Sequence, residues 1–210
     1  MSKFNVKEVD ATLTEKITGN IDDVLAATVD VQGGETAAQL QALTNVDGDY
    51  KAVISDTQTT KAGLDKINTV ATRTAGQVTA TSNGITLSDA VEELTAGDSD
   101  DAIAITLTGD GTITDGLNAA ELKTLDTKTG GTITATTITT LKGTLTDLDS
   151  VSKSTEITTA TAYAANVTNT LGKNDITNLN SLAADNGSSA VTATISGVKA
   201  SEINTLNTDG

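Results

Sequence analysis

The side chains with the clearest potential for chemistry are carboxylates that gather in glycine-containing turns. Asp98, Asp100 and Asp101 lie together in the segment AGDSDD, and smaller acidic groups of the same kind occur at Asp47/Asp49 and Asp110/Asp115. Closely spaced carboxylates can supply the oxygen ligands that Ca²⁺ prefers. The segment AGDSDDAIAITL lacks the glycine at the sixth position and the Glu at the twelfth position of an EF-hand loop. Two interpretations stay open: solvated turns in which Asp bonds to the backbone, and a weak extracellular-type Ca²⁺ site at Asp98, Asp100 and Asp101.

The residue types that are missing exclude much catalytic chemistry. The chain has no His and no Cys, which are the commonest general bases, nucleophiles and transition-metal ligands. The segment TGDGTITDG at 108–116 is rich in glycine but lacks the Lys of a phosphate-binding loop. Three aromatic residues are too few for the platforms of a carbohydrate-cleaving cleft. We therefore expect no enzyme and no cofactor, with Ca²⁺ as the one candidate ion.

Charge and hydropathy narrow the range of partners. A net charge of −15 repels nucleic acid and anionic membrane surfaces. No apolar run reaches the ~18 residues needed to span a bilayer. The N-terminal sequence MSKFNVKEVD lacks the apolar core and cleavage site of a classical signal peptide. We expect neither a nucleic-acid partner nor membrane insertion.

Short strands are predicted at seven places where β-branched and small residues roughly alternate. Their starts are separated by 23, 27, 25, 30, 24 and 34 residues. We expect parallel strands with Val78, Ile103, Ile133, Ile157 and Val191 in one buried, registered column. The segments are ATVDVQ (27–32), YKAVISD (50–56), QVTATSN (77–83), AIAITLT (102–108), TITATTI (132–138), EITTATA (156–162) and AVTATIS (190–196).

Short helices are predicted after the strands, because apolar pairs recur there at helical spacing. The pairs are Leu40/Leu43, Leu64/Ile67, Val91/Leu94, Leu122/Leu125, Leu145/Leu148, Leu179/Leu182 and Ile203/Leu206, with Val167/Leu171 as an i, i+4 variant. Ile17, Ile21, Val24 and Leu25 predict a longer N-terminal helix. Gly, Asp and Asn cluster at the joints between elements and provide turns.

A near-constant period of about 25 residues is typical of solenoid proteins. The sequence therefore predicts an α/β solenoid: a parallel strand stack with one short helix per coil and about seven coils. A compact α/β domain is the alternative. We expect residues 1–26 to form an N-terminal strand segment and capping helix and residues 27–210 to form the strand–helix coils, with residues 172–189 as an insertion within one coil.

Threonine dominates the predicted outer face of the strands. If Val78 and Ala80 point inward, then Thr79 and Thr81 point outward, because side chains alternate along a strand. The same alternation exposes further threonines and predicts two columns of them on one flat, uncharged face. Such a face is typical of surfaces that bind ice or a crystalline carbohydrate. The alternative is that Thr is simply a residue type that suits exposed positions on strands. The predicted Thr face contains Thr79, Thr81, Thr106, Thr108, Thr134, Thr136, Thr192 and Thr194.

The segments QVTATSNG, GTITATTI and AVTATISG, with NAAELKTL and KASEINTL, carry a resemblance to known proteins. They resemble the Thr/Ala-rich repeats of large secreted surface proteins of bacteria, cyanobacteria among them, and of phage fibres. The resemblance implies an extracellular, cell-surface or virion location and no active site. The nonapeptide calcium repeat G-G-x-G-x-D of many secreted proteins is missing.

Self-assembly is the function that these observations favour. An open terminal strand is a template for another chain. We expect a non-enzymatic structural protein of an extracellular filament, surface layer, adhesin or virion appendage. Its partner would be a second copy, head to tail, or further coils of a longer parent chain. The candidate assembly residues are Phe4, Val6, Val9, Val191, Ile195, Ile203 and Leu206.

Overall fold

The computed structural model describes residues 16–22, 24, 51–108, 117–187, 189–203 and 206. The strands are β1 (Lys16–Gly19), β2 (Lys51–Gln58), β3 (Val78–Ile85), β4 (Ala102–Leu107), β5 (Leu117–Asn118), β6 (Ile133–Ala135), β7 (Thr140–Gly143), β8 (Ile157–Thr159), β9 (Ala164–Leu171) and β10 (Val191–Ile195). The helices are α1 (Lys61–Ala71), α2 (Leu87–Glu93), α3 (Ala119–Asp126), α4 (Leu145–Lys153), α5 (Ile176–Asp185) and α6 (Ala200–Ile203), with a 3₁₀ turn at Lys173–Asp175.

The strands form two parallel sheets. One has six strands in the order β1-β2-β3-β4-β6-β8, and the other has four in the order β10-β9-β7-β5. Helices and parallel strands alternate along the chain, an alternation typical of Rossmann-like α/β folds. The predicted solenoid, a single stack of about seven coils with one strand and one short helix each, is therefore wrong. The expected parallel pairing is confirmed, but the pairing is divided between two sheets.

Six of the seven predicted strands are present, as β2, β3, β4, β6, β8 and β10, and the seventh, at 27–32, lies outside the described residues. Strands β1, β5, β7 and β9 were not predicted, and the register differs from the one expected. Ile103 lies beside Ala80, two residues from the expected Val78. Ile105, Ile133 and Ile157 do form one registered column. Val191 belongs to the other sheet, where its partner is Ala165. A single five-residue column is thus wrong, because β4 is offset by two residues relative to both β3 and β6 and because the last strand pairs in the other sheet.

Threonine and asparagine begin the helices. The hydroxyl groups of Thr60, Thr86 and Thr144 accept the third amide N–H of α1, α2 and α4. The side-chain oxygen of Asn118 accepts the second amide N–H of α3. Such caps satisfy N–H groups that the helix itself leaves unpaired. The abundance of Thr therefore serves helix starts as well as strands.

One continuous core joins the sheets and helices. Leu64, Ile67, Leu122, Leu125 and Leu148 are fully buried, and they belong to the same cluster as the inward residues of the strands. Neighbouring helices pack side by side from α1 to α5. The core is built mainly from aliphatic side chains. Among the described residues, Tyr163 is the one aromatic residue that is buried.

Two helical predictions are wrong. Ile17 lies in β1, in register with Ala52, so the N-terminal helical pattern does not extend back to it, although Ile21 and Val24 are helical and buried. Val167 and Leu171 lie in β9 rather than in a helix.

Among the described residues, no helix is long and apolar enough to cross a bilayer.

Candidate functional site

The exposed end of the four-stranded sheet is the first candidate site. Among the described strands, β10 pairs with β9 alone, so its other edge has no described partner. The inward positions Val191, Ala193 and Ile195 are only half-buried, whereas Ala165 and Val167 on β9 are buried. An unpaired strand with a partly uncovered apolar side is a template for another strand.

Helix α6 continues this incompletely covered end. The side chain of Ile203 is 43% exposed and is the one exposed large apolar side chain among the described residues. Leu206 is half-buried and packs against the core. We call β10 with Ile203 and Leu206 the β10 edge. Four of the predicted assembly residues are therefore in β10 or in the segment that follows it, while Phe4, Val6 and Val9 lie outside the described residues.

The outer face of the six-stranded sheet is the second candidate site. Asn83, Thr106, Thr134 and Thr158 are registered neighbours on β3, β4, β6 and β8, and we call them the Thr row. Adjacent strands lie ~4.8 Å apart, so the row presents uncharged hydrogen-bonding groups at that interval. Thr57, Thr81 and Ala104 form a second registered line beside it. This face can offer a regular array of hydroxyl and methyl groups to a flat ligand.

The predicted Thr face is thus only partly assembled. Thr79, Thr81, Thr106 and Thr134 lie on the six-stranded sheet, while Thr108 lies just beyond the end of β4 and Thr136 lies in a turn. Thr192 and Thr194 belong to the four-stranded sheet, beside Asn166 and Thr170. Thr81, Thr136, Thr192 and Thr194 are exposed, and the other four are half-buried.

The acidic turn before β4 is built around Asp101, which is 6% exposed. Its Oδ1 accepts the backbone N–H of Val78 at 2.7 Å, and its Oδ2 accepts that of Asp98 at 3.4 Å. Asp98 and Asp100 are exposed, and Asp98 Oδ1 accepts the N–H of Asp100 at 2.8 Å. These contacts fix the turn and start strand β3. In the described part of the chain, no group of three or more Asp and Glu side chains converges to hold a metal ion.

Burial changes the electrostatics of Asp101. The pKa of its carboxyl group is raised, chiefly because burial disfavours the charged form. The hydrogen bond from Val78 opposes this shift, whereas the charges of Asp98 and Asp100 add to it. A cation would have to displace the Val78 N–H to use both oxygens of Asp101.

A second buried polar residue, Thr129, has an equivalent role that the sequence analysis missed. Its hydroxyl oxygen accepts the N–H of Ile103 at 2.9 Å and that of Gly131 at 2.8 Å. Thr129 is 1% exposed. Thr129 thus starts β4 as Asp101 starts β3. The sequence signal for such a residue is a polar side chain in the turn before a strand. The partner of Thr129, Ile103, lies 26 positions away in the chain.

Lysines join neighbouring helices on the surface. Lys61 of α1 lies 2.8 Å from Glu92 and 3.3 Å from Glu93 of α2, and Lys123 of α3 lies 3.1 Å from Asp147 of α4. The hydroxyl of Thr144, followed by Lys123, holds the pKa of Asp147 below its usual value. These ion pairs lie along the helices, in contrast to the uncharged Thr row.

Comparison with protein-family models, with curated proteins and with solved structures found no match. The two candidate sites therefore depend on the geometry of this chain alone.

Proposed function

We propose that this chain is a non-enzymatic structural protein that self-associates through its sheet edges. It would form part of an extracellular filament, surface layer, adhesin or virion appendage. The observation that carries the proposal is the β10 edge, where Val191 and Ile195 are half-buried and Ile203, in the helix that follows β10, is exposed. Burial of these side chains by a second copy, or by further strands of a longer parent chain, provides the association energy.

The backbone of β10 supports strand addition. The Ala165 N–H donates to the carbonyl oxygen of Ala190 at 2.9 Å, which directs that carbonyl toward β9. In a parallel ladder the backbone groups of the next residue point the opposite way, so Val191 presents its N–H and carbonyl to the free edge. Main-chain hydrogen bonds from an added strand would supply affinity, and the apolar side chains would supply register.

The test introduces positive charge at the edge. The double variant Val191→Lys/Ile195→Lys should remain monomeric at concentrations at which the unaltered chain forms larger particles, because lysines on an edge strand oppose pairing. Light scattering across a concentration series and negative-stain microscopy measure this. Thr81→Lys is the matched control, since Thr81 is exposed on the central strand β3. An unaltered chain that stays monomeric throughout would contradict self-association.

A second candidate function is binding of ice or a crystalline carbohydrate by the Thr row. The specific observation is the unbroken register of Thr106, Thr134 and Thr158 on three adjacent strands. The row holds no charged side chain, so it can lie against an ordered, uncharged surface. Thr134→Lys should abolish ice-recrystallisation inhibition or cellulose pull-down, while the β10-edge variant should leave either activity unchanged. The two variants therefore separate the two functions.

A further inference from the structure

The asparagines of the two Asn–Gly pairs of the chain lie in opposite environments. The pairs are Asn83–Gly84 at the end of β3 and Asn186–Gly187 after α5. An Asn followed by Gly is open to attack by the glycine nitrogen on the side-chain amide, because glycine has no side chain to obstruct the approach. Which pair can react depends on solvent access and on local freedom of the backbone.

Asn83 and Gly84 are both exposed. The register of β3 with β4 passes from Asn83↔Thr106 to Ile85↔Leu107, which leaves Gly84 as the extra residue of a bulge without a registered partner. Gly84 has φ of +74°, and a Cβ placed on it would meet no atom within 4 Å. The glycine nitrogen is therefore in an open part of the strand rather than in a regular ladder.

Asn186 is 0% exposed. Its Nδ2 donates to the carbonyl oxygens of Ser189 at 2.6 Å and of Tyr163 at 3.3 Å, which fixes the amide in place. Gly187 is exposed, but it lies close to the backbone of Thr161 on one side, where a Cβ placed on it would collide with the Thr161 carbonyl. The amide nitrogen of Asn186 is therefore held by two acceptors, and its side chain is shielded from water.

From this contrast we propose that Asn83 is a site of spontaneous deamidation in the folded protein and that Asn186 is protected. The Gly84 nitrogen bonds to Cγ of Asn83, the Cγ–Nδ2 bond breaks, and the amide nitrogen leaves as ammonia. Water then opens the resulting succinimide at either carbonyl to give aspartate or isoaspartate. Both products place a negative charge beside Thr106 in a row that has none. The modification thus provides a slow chemical change of the outer sheet face.

The experiment compares folded and urea-unfolded chain during long incubation at mildly alkaline pH. Cleavage after Lys and Arg separates the pairs into peptides 74–123 and 174–199. Mass spectrometry detects the mass gain of amide loss, and isomerisation of Asp–Gly sequences does not change the mass. In the unfolded chain both pairs should react, whereas in the folded chain Asn83 should react several-fold faster than Asn186. Equal rates at the two pairs in the folded chain would overturn the proposal.

Two variants assign the chemistry. Asn83→Gln should stop the reaction in peptide 74–123, because its longer side chain cannot close the five-membered ring. Gly84→Ala should slow the reaction, and its folding is checked by circular dichroism because Gly84 has positive φ. Mass gain that persists in peptide 74–123 of Asn83→Gln would assign the reaction to another residue and would also overturn the proposal.

Discussion

The backbone N–H of Val78 donates to the carboxylate of Asp101 across 2.7 Å, between residues 23 positions apart in the chain. The contact is buried, and it places a carboxylate at the first residue of β3. In a turn whose sequence resembles a cation-binding loop, the Asp101 carboxylate is therefore bound to the protein's own backbone. Asp101 has a structural role in which its acceptor oxygen matters more than its charge.

Asp101→Ala should destabilise the fold by about 1–3 kcal/mol, because it leaves the buried Val78 N–H without an acceptor. Asp101→Asn should be close to neutral or stabilising at neutral pH, since its amide oxygen keeps the Val78 bond and no charge remains buried, while only the longer bond from the Asp98 N–H, at 3.4 Å, is lost. Urea denaturation of the three proteins measures the difference. Equal losses in both variants would indicate that the charge of Asp101 is required.

The pH dependence of Asp101 follows from its raised pKa. An acid with a raised pKa in the folded state stabilises the fold below its ordinary value of 3.8, and this contribution is lost as pH rises through the raised pKa. The advantage of Asp101→Asn over the unaltered chain should therefore grow from strongly acidic to neutral pH. Denaturation at a series of pH values tests this, and an advantage that shrinks as pH rises would contradict it.

Asp147 should show the opposite dependence, because its pKa is lowered in the folded state by Thr144 and Lys123. Its contribution is present above the ordinary value of 3.8 and is lost as pH falls through the lowered pKa. Asp147→Asn should be less stable than the unaltered chain at neutral pH and equal to it in strong acid. Lys123→Met is the matched control, since it removes the cation and leaves the Thr144 cap in place.

Much of the fold could be predicted from residue patterns, but the pairing of the strands could not. The alternation of residue types along each strand correctly predicted that Ile103, Ile105 and Ile133 point into the core, since a strand has only two faces. It could not show that Val191 pairs in a different sheet from Ile133, because both strands have the same composition and period. The i, i+4 spacing of Val167 and Leu171 also fits two residues on one face of a strand, and tertiary pairing decided between helix and strand.

The candidate sites were predictable to different extents. The acidic turn could be predicted because its carboxylates are close together in the sequence. That Asp101 points inward could not be predicted, because its partner Val78 lies 23 positions away in the chain. The β10 edge contains four of the predicted assembly residues, and the half-buried state of Ile195 and the exposure of Ile203 give it a measurable surface. Thr129 was missed, since a buried Thr in a turn has no distinctive neighbours in the sequence.

Tyr163→Phe should leave stability unchanged or raise it. Tyr163 is 2% exposed, and its hydroxyl oxygen is buried without a hydrogen-bond partner in the described part of the chain. Removal of an unsatisfied buried polar group avoids its desolvation cost. Thermal unfolding provides the measurement. Tyr163→Ala is the control for packing and should cost about 3–5 kcal/mol, as for other large aromatic-to-Ala changes. A loss of about 1 kcal/mol in Tyr163→Phe would indicate a hydrogen-bond partner for the hydroxyl.

Calcium should change the thermal stability of this protein little or not at all. Ca²⁺ requires about 6–8 oxygen ligands, and both oxygens of Asp101 already accept backbone N–H groups from Val78 and Asp98. A ligand that binds only the folded state raises the melting temperature as its concentration passes the dissociation constant. We therefore expect no saturating shift of the melting temperature at micromolar Ca²⁺, with Mg²⁺ at the same ionic strength as the control. A saturating shift that is specific for Ca²⁺ and is abolished by Asp98→Asn/Asp100→Asn would instead establish the acidic turn as a calcium site, and Asp101 would then have to turn away from Val78 in the bound state.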